Sequence, residues 1–481
     1  MAKRFWSLAL ALSNLPSERW GKESYIYQLV GVLRSWRQGS WLFQWADPIG
    51  LLLVSLVLGF SPFVSTALIG VLLFACTCFW LLLTLADDSG LEQGRRIFSG
   101  PTPIHVMVLL YWGIAAIATA FSPVRTAAVS GWIKLTLFLG GFALMARLLR
   151  SSRMRSWLIA LYLHISLVVS VYGVQQWRLG VPPLATWNDP SSNLAHVTRA
   201  YSYLGNPNLL AGYLIPATIF SLAAFFVWRT WMARVLALTM FGTHATCLIV
   251  TWSRGGGIGM VAGLFVLLLL LLYWWSVRLP GFWRIWLLPI VLGSLASLLV
   301  VAVMTVETLR DRVGSIFQWR GDSSNNFRIN VWLASLEMIG DRPVMGIGPG
   351  NSAFKLIYPA YGGARYSALS TYSIFLEVAV EMGLVGLSCF LWLLLAIFTQ
   401  GWQQLNRLRQ RNHGEGFWLM AAIATLAGLL THGLVDTVWY RPQVNILWWL
   451  AVALVASYYI PQPQSPSNSQ IIEMDGERAS D

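Results

Sequence analysis

Residues 251–276 read TWSRGGGIGMVAGLFVLLLLLLYWWS. After one arginine and three glycines, the run stays uncharged for about 20 residues, the length a helix needs to cross a hydrocarbon core of about 30 Å. It lacks the period-two alternation of a membrane barrel strand, so the segment reads as a transmembrane helix. Outward from it the same pattern recurs. Apolar spans fall at 46–64, 66–86, 103–121, 128–148, 156–177, 208–228, 234–252, 256–276, 285–305, 378–400, 417–437 and 443–460. The first two, joined by SPFVS, read either as two spans or as one re-entrant hairpin. The fold class is therefore all-α integral membrane, a polytopic bundle of about twelve transmembrane helices.

Composition agrees, because 56% of the 481 residues are hydrophobic and 11% are charged. No soluble globular chain has that balance. The net charge of +13 is gathered in short clusters between spans, where it marks topology and not a nucleic-acid partner. Cys76, Cys78, Cys247 and Cys389 all fall inside apolar runs, which gives neither a disulfide framework nor a zinc spacing. The basic N-terminus, with Lys3, Arg4, Arg19, Lys22, Arg34 and Arg37, shows no small-residue cleavage site, so the first span is expected to act as the insertion signal.

Arginine placement orients the bundle. The N-terminal arm, Arg95 and Arg96, the group Arg147, Arg150, Arg153 and Arg155, then Arg229 and Arg234, Arg278 and Arg284, and Arg407, Arg409 and Arg411 occupy alternate loops. Those loops and both termini are expected in the cytoplasm. The organisation follows: a cytoplasmic arm 1–45, nine helices in 46–305, a long outer loop 306–373 with an interfacial helix, three helices in 374–460, and a polar tail 461–481 whose composition predicts disorder.

One stretch, from Asn326 to Gly386, mixes charge, glycine and aromatics in an otherwise greasy chain. It opens FRINVWLASLEMIGDRPVMGIGPGN and closes SIFLEVAVEMGLVG, and it faces the outer side. Arg328, Trp332, Ser335 and Met338 recur at helical spacing, which predicts an amphipathic helix holding Arg328 over the bundle or an interfacial helix with a solvated arginine. Arg310, Arg312, Arg320, Arg342, Lys355 and Arg365 raise the local positive potential. Glu377 and Glu381 share a face, expected to pair with arginines above them or to serve packing.

Three other pieces reach the same side: the loop 178–208 with His196, Arg199, Asn206 and Asn208, the tight turn around Arg254, and THGLVDTVWYRP with His432, Asp436 and Arg441. An ionisable group at the membrane boundary is a functional candidate by default, and the glycines after Arg254 open a helix N-terminus to an anion. The alternative is an arginine that snorkels to the interface. His432 and Asp436, one turn apart, form either an oriented base or a hydrogen-bonded packing pair. His105, His164 and His244 sit alone in apolar runs as core residues. Lys134 is expected to face the bundle interior, with Asp436 or a carbonyl as its partner.

In order, SYLGNPNLLAGYL, TWSRGGG and FRINVWLASLEMI…RPVMGIGPGN…FLEVAVEMGLVG resemble the signature of the O-antigen ligase and polymerase superfamily over about residues 200–400. The resemblance implies an O-antigen ligase-like fold and a multi-pass protein of the inner (plasma) membrane that moves polyprenyl-diphosphate-linked glycans at the periplasmic face. It also implies that Arg199, Arg254 and Arg328 bind the lipid diphosphate. The ligases carry a histidine-asparagine pair just before the glutamate-containing span, proposed to activate the acceptor; Tyr372 and Ser373 stand there in this chain. RAYSYLGNPNLLA, DSSNNFRINVWLA and WYRP further resemble a cyanobacterial subfamily named for inorganic carbon accumulation and labelled a bicarbonate transporter. That resemblance implies a small anion at the same arginines, with Lys134, His432 and Asp436 as steps on a route across the bundle. Catalytic candidates are His432, Asp436, His196 and Tyr372. Membrane lipid is an expected partner, nucleic acid is not, and neither a metal nor a cofactor is called for.

Overall fold

The computed structural model describes residues 44–86, 101–182, 184, 198–305, 310, 314, 323–362, 368–436 and 439–460. The expectations for the N-terminal arm, Arg95 and Arg96, His196, Arg312, Arg320, Arg365 and the tail from 461 fall outside those residues. All regular structure among the described residues is helical. In chain order the helices are α1 Ala46–Phe60, α2 Thr66–Ala86, α3 Pro103–Ala120, α4 Arg125–Leu148, α5 Ser152–Arg178, α6 Pro207–Val227, α7 Trp231–Val250, α8 Arg254–Trp275 and α9 Gly281–Thr305. After them come α10 Ser323–Asp341, α11 Asn351–Ile357, α12 Pro359–Gly362, α13 Ile374–Gln410, α14 Gly416–Gly433 and α15 Pro442–Ser457.

Among the described residues, 9 helices are long and apolar enough to cross a membrane, and three shorter apolar stretches, Ala46–Phe60, Ile285–Ser294 and Pro442–Ser457, accompany them. The expected spans overlap these helices, nine of which are long and apolar enough to cross a membrane by themselves. The SPFVS junction resolves into the turn between α1 and α2, two helices packed on each other.

Helix starts obey ordinary capping chemistry. Thr102 accepts from the N–H of His105, whose Nδ1 accepts from the N–H of Thr102, with Pro103 at the first helical position. His105 is thus a capping residue and not the isolated core histidine expected. His244 is buried and bonded through Nδ1 to Ser221 Oγ at 2.9 Å, and exposed His164 contacts the Ala160 carbonyl at 2.7 Å.

The centre of the bundle is α6, α14 and α15, each buried along most of its length. Around them α8 packs on α14, α7 on α6, α4 on α2 and α15, and α13 on α3. In hydrocarbon such contacts depend on close packing and not on escape from water, and small residues permit it. Accordingly Gly255, Gly259 and Gly263 of α8 run against α14, where Gly428 faces them. Leu52, Phe74, Val261 and Trp286 point outward, as lipid-facing side chains do.

The described residues around Arg199, Arg254 and His432 meet at one end of the bundle, where Arg199 bonds the Thr251 carbonyl and His432 seats on Gly255. At the other end, arginines that the sequence offers as topology markers also tie helices together. Buried Arg155 bonds Glu415, the Tyr458 hydroxyl (2.8 Å) and the Leu149 carbonyl (2.9 Å). Arg407 donates to the Tyr458 carbonyl (3.0 Å), and Arg409 to Ser276 Oγ (2.8 Å).

The described residues between α9 and α13 have a small core of their own. Val331, Ala334 and Met338 of α10 pack with Ile347, Phe354, Tyr358 and Val380. The GIGPG turn then enters a break in α13. At Gly383 the helix leaves helical geometry (φ 68°, ψ −171°), a left-handed conformation that favours glycine. Into that gap the outer chain bonds like a short strand. Ile347 N–H donates to the Val380 carbonyl (2.9 Å), Gly348 N–H to Glu381 O (2.8 Å), and Leu384 N–H to Pro343 O (2.7 Å). Ser122 Oγ, from the α3–α4 turn, donates to the Ile347 carbonyl at 2.5 Å. The predicted uninterrupted span 378–400 is thus replaced by one longer helix broken near its outer end.

Candidate functional site

Arg199 is fixed by its neighbours on two elements. Its Nε donates to the Thr251 carbonyl (3.0 Å) and its Nη2 to Asn208 Oδ1 (3.1 Å). Asn206 caps α6, its Oδ1 accepting from the N–H groups of Asn208 (2.9 Å) and Leu209 (3.2 Å). Ala200 N–H reaches the Val250 carbonyl (3.0 Å), so the segment lies along the end of α7. Three residues past Thr251, Arg254 opens α8. Ser253 caps that helix through Gly256 N–H (3.2 Å), leaving the helix N-terminus beside Arg199. Trp252, between them, has its indole N–H buried with no acceptor.

The other half hangs from α10. Arg328 Nη1 donates to Ser324 Oγ (3.0 Å), and Nη2 lies 3.5 Å from Asp436 Oδ2, in a pair only 17% and 8% exposed. Its Nε is buried with no acceptor, as is the indole N–H of Trp332 one turn further on. Tyr372 presents its ring to Phe327 in an edge contact (centroids 5.5 Å apart). Burial first, then the nearby Asp436 and Tyr440, push the Tyr372 hydroxyl up to about 12, against the pull of Arg328. At neutral pH that hydroxyl is a hydrogen-bond donor and no base.

His432 joins the halves. It is wholly buried in the last turn of α14, with neither ring nitrogen bonded. A Cβ placed on Gly255 would lie 3.0 Å from His432 Cδ2 and 3.5 Å from Nε2, so glycine is what lets the imidazole seat against the first turn of α8. One turn on, Asp436 donates its backbone N–H to the His432 carbonyl (3.1 Å) and offers its carboxylate to Arg328. The pair is therefore not mutually hydrogen-bonded through its side chains, as the sequence had allowed.

Backbone strain gathers here too. Four described non-glycine residues have positive φ, and Ser202 (48°), Trp252 (51°) and Tyr372 (53°) flank the three arginines. Such conformations are sustained only where surrounding structure enforces them, and they concentrate at functional sites.

Two expectations need correction. Lys134 lies exposed on the outer flank of α4 and not in the bundle interior; Asp436 takes Arg328 instead. Among the described residues neither Glu377 nor Glu381 pairs with an arginine. The Glu381 side chain takes the backbone N–H of Gly350, and Glu377 Oε2 is buried without a donor. Their arginines lie on other elements, and the GIGPG turn fills the space above. Arg342 and Lys355 are exposed, and Cys78 faces outward while the other three cysteines are buried. Sequence reasoning did not single out Trp252, whose place before Arg254 was the available signal.

A family model described as O-antigen ligase matches residues 236–391. The matched region contains Arg254, Arg328, Trp332, Tyr372, Glu377 and Glu381, while Arg199, His432 and Asp436 lie outside it. No curated protein matches the chain.

Proposed function

We propose that this all-helical, multi-pass membrane protein binds a polyprenyl-diphosphate-linked glycan at its arginine-bearing end and transfers the glycan to an acceptor hydroxyl. One observation carries the reading. Arg328 Nε, Trp332 Nε1 and Trp252 Nε1 are buried donors without acceptors; Trp252 lies between Thr251, which holds Arg199, and Arg254 at the start of α8, and Arg328 pairs with Asp436 one turn past His432, which seats on Gly255. Arginine and indole nitrogens can only donate, so the group that completes the site is rich in acceptor oxygens and negatively charged, as a diphosphate is. Preorganised positive charge of this kind stabilises a departing diphosphate. The O-antigen ligase match across Arg254 and Arg328 supports the same chemistry.

By the arginine distribution we place the site on the periplasmic side of the inner membrane and both termini in the cytoplasm. The bicarbonate-transport reading rests on subfamily resemblance. Its route loses a step, because Lys134 stands on the outer surface of α4.

The test uses purified protein in lipid with a short prenyl-diphosphate-linked sugar and an acceptor saccharide. Transfer that is abolished by Arg254→Ala is the expected result. No transfer and no binding of the donor by the wild type would overturn the reading.

A further inference from the structure

The resting contact between Arg328 and Asp436 is hard to reconcile with Arg328 as a ready diphosphate ligand. The guanidinium is already neutralised by a carboxylate 3.5 Å away, in a pair largely shielded from water. A phosphate oxygen would need the same N–H edge. The contact is also loose, longer than the roughly 2.7–2.9 Å of a close N⁺–H···O⁻ bond. Asp436 stands beyond the last turn of α14, its backbone N–H on the His432 carbonyl and its carboxylate on Arg328.

The same carboxylate is the group best placed to act as a base. Tyr372 holds its proton, and His432 is walled in by Gly255 and Gly259 with no ring nitrogen reaching another group.

We propose that Asp436 is a built-in stand-in for the lipid diphosphate on Arg328: the incoming diphosphate displaces it, and the released carboxylate becomes the base for the acceptor. The inference rests on the glycan-transfer reading above. In the transfer step the acceptor oxygen forms its bond to the anomeric carbon as the bond from that carbon to the diphosphate oxygen breaks. The bonding pair leaves on the diphosphate, held by Arg199, Arg254 and Arg328. The acceptor hydroxyl proton passes to Asp436. Departure of the lipid diphosphate returns Arg328 to Asp436, which sheds the proton and closes the cycle.

The experiment measures farnesyl diphosphate binding and glycan transfer by wild type, Arg328→Ala, Asp436→Asn and Asp436→Ala, in lipid. Removing an internal competitor that occupies Arg328 most of the time tightens binding by about tenfold. Transfer falls by at least about a hundredfold in the same two variants, as loss of a general base does. Arg328→Ala weakens binding. Asp436 variants that bind no more tightly than wild type, or that keep transfer, would sink the proposal while leaving the diphosphate site intact. Farnesyl diphosphate that fails to bind wild type, with Arg328→Ala no different, would remove both readings. A measurement on wild type guards against a variant that does not fold: farnesyl diphosphate should speed hydrogen exchange in the peptide covering 434–443. Slower or unchanged exchange there counts against displacement.

Discussion

His432 and Gly255 meet across the α8–α14 contact with room for an imidazole and for nothing more, since a Cβ on Gly255 would stand 3.0 Å from the His432 ring and 3.0 Å from Val435 Cγ2. The first turn of the arginine-bearing helix is therefore positioned by a side chain on another helix. Gly255→Ala should destabilise the protein by about 1–3 kcal/mol, the usual effect of overpacking. Thermal unfolding of Gly255→Ala, His432→Ala and the double variant would measure it. Strict additivity of the two effects would show that these residues do not touch energetically.

Gly383 is the second test of backbone chemistry. Alanine there must adopt φ near +68° and would run into the Val344 carbonyl. Gly383→Ala should eject the 343–350 turn, with new proteolytic cleavage in that segment. A cleavage pattern identical to wild type would mean the helix break has another cause. Ser122→Ala, which loses the bond to the Ile347 carbonyl and the acceptor of the Val124 N–H, should cost about 1–2 kcal/mol.

At the opposite end, Arg155→Leu leaves the Glu415 carboxylate without its cation in a nearly buried setting. Loss of one partner of such a pair costs about 3–5 kcal/mol, while replacing both by apolar residues costs far less. Unfolding of Arg155→Leu against Arg155→Leu/Glu415→Met checks this. A double variant as unstable as the single one would contradict it.

Tyr372 supplies a pH prediction. Its folded value, about 12, lies above the ordinary value of 10.0, so the folded chain holds a proton that the unfolded chain releases first. The contribution to stability is whole below pH 10 and declines as pH rises toward 12. Tyr372→Phe should flatten the alkaline loss of stability over that window and leave the pH profile between 5 and 9 unchanged. A profile that moves near neutral pH would point to Tyr372 as a titrating group in the reaction.

Much of the architecture was legible because hydrocarbon demands long uncharged helices, and runs such as IGMVAGLFVLLLLLLYWW admit no other reading. Arg254 stood out as a candidate for the same reason, since charge at a membrane boundary contrasts with its surroundings; Arg199 and Arg328 joined it through the motifs around them. What could not be read were the pairings. Lys134 looked buried because its neighbours are apolar, but lipid-facing and core-facing residues of a spanning helix have the same composition. The break at Gly383 was hidden among the glycines of EMGLVG, because the strand-like partner that fills it lies some 35 residues upstream, in GIGPG. Asp436 was matched to the wrong cation because Arg328 comes from a helix that folds over the bundle from outside it.

The break in α13 divides labour along one helix. Below Gly383, Arg407 and Arg409 anchor the long segment to Tyr458 and Ser276. Above it, a short segment carries Glu377 and Glu381 and is stitched to the outer turn that continues from α10, the helix bearing Arg328. The upper piece and the outer loop form one part, and the lower shaft is the bearing on which it sits. A tilt of Arg328 toward a ligand would be taken up at that joint, leaving the far end of α13, with Arg407 and Arg409, in place.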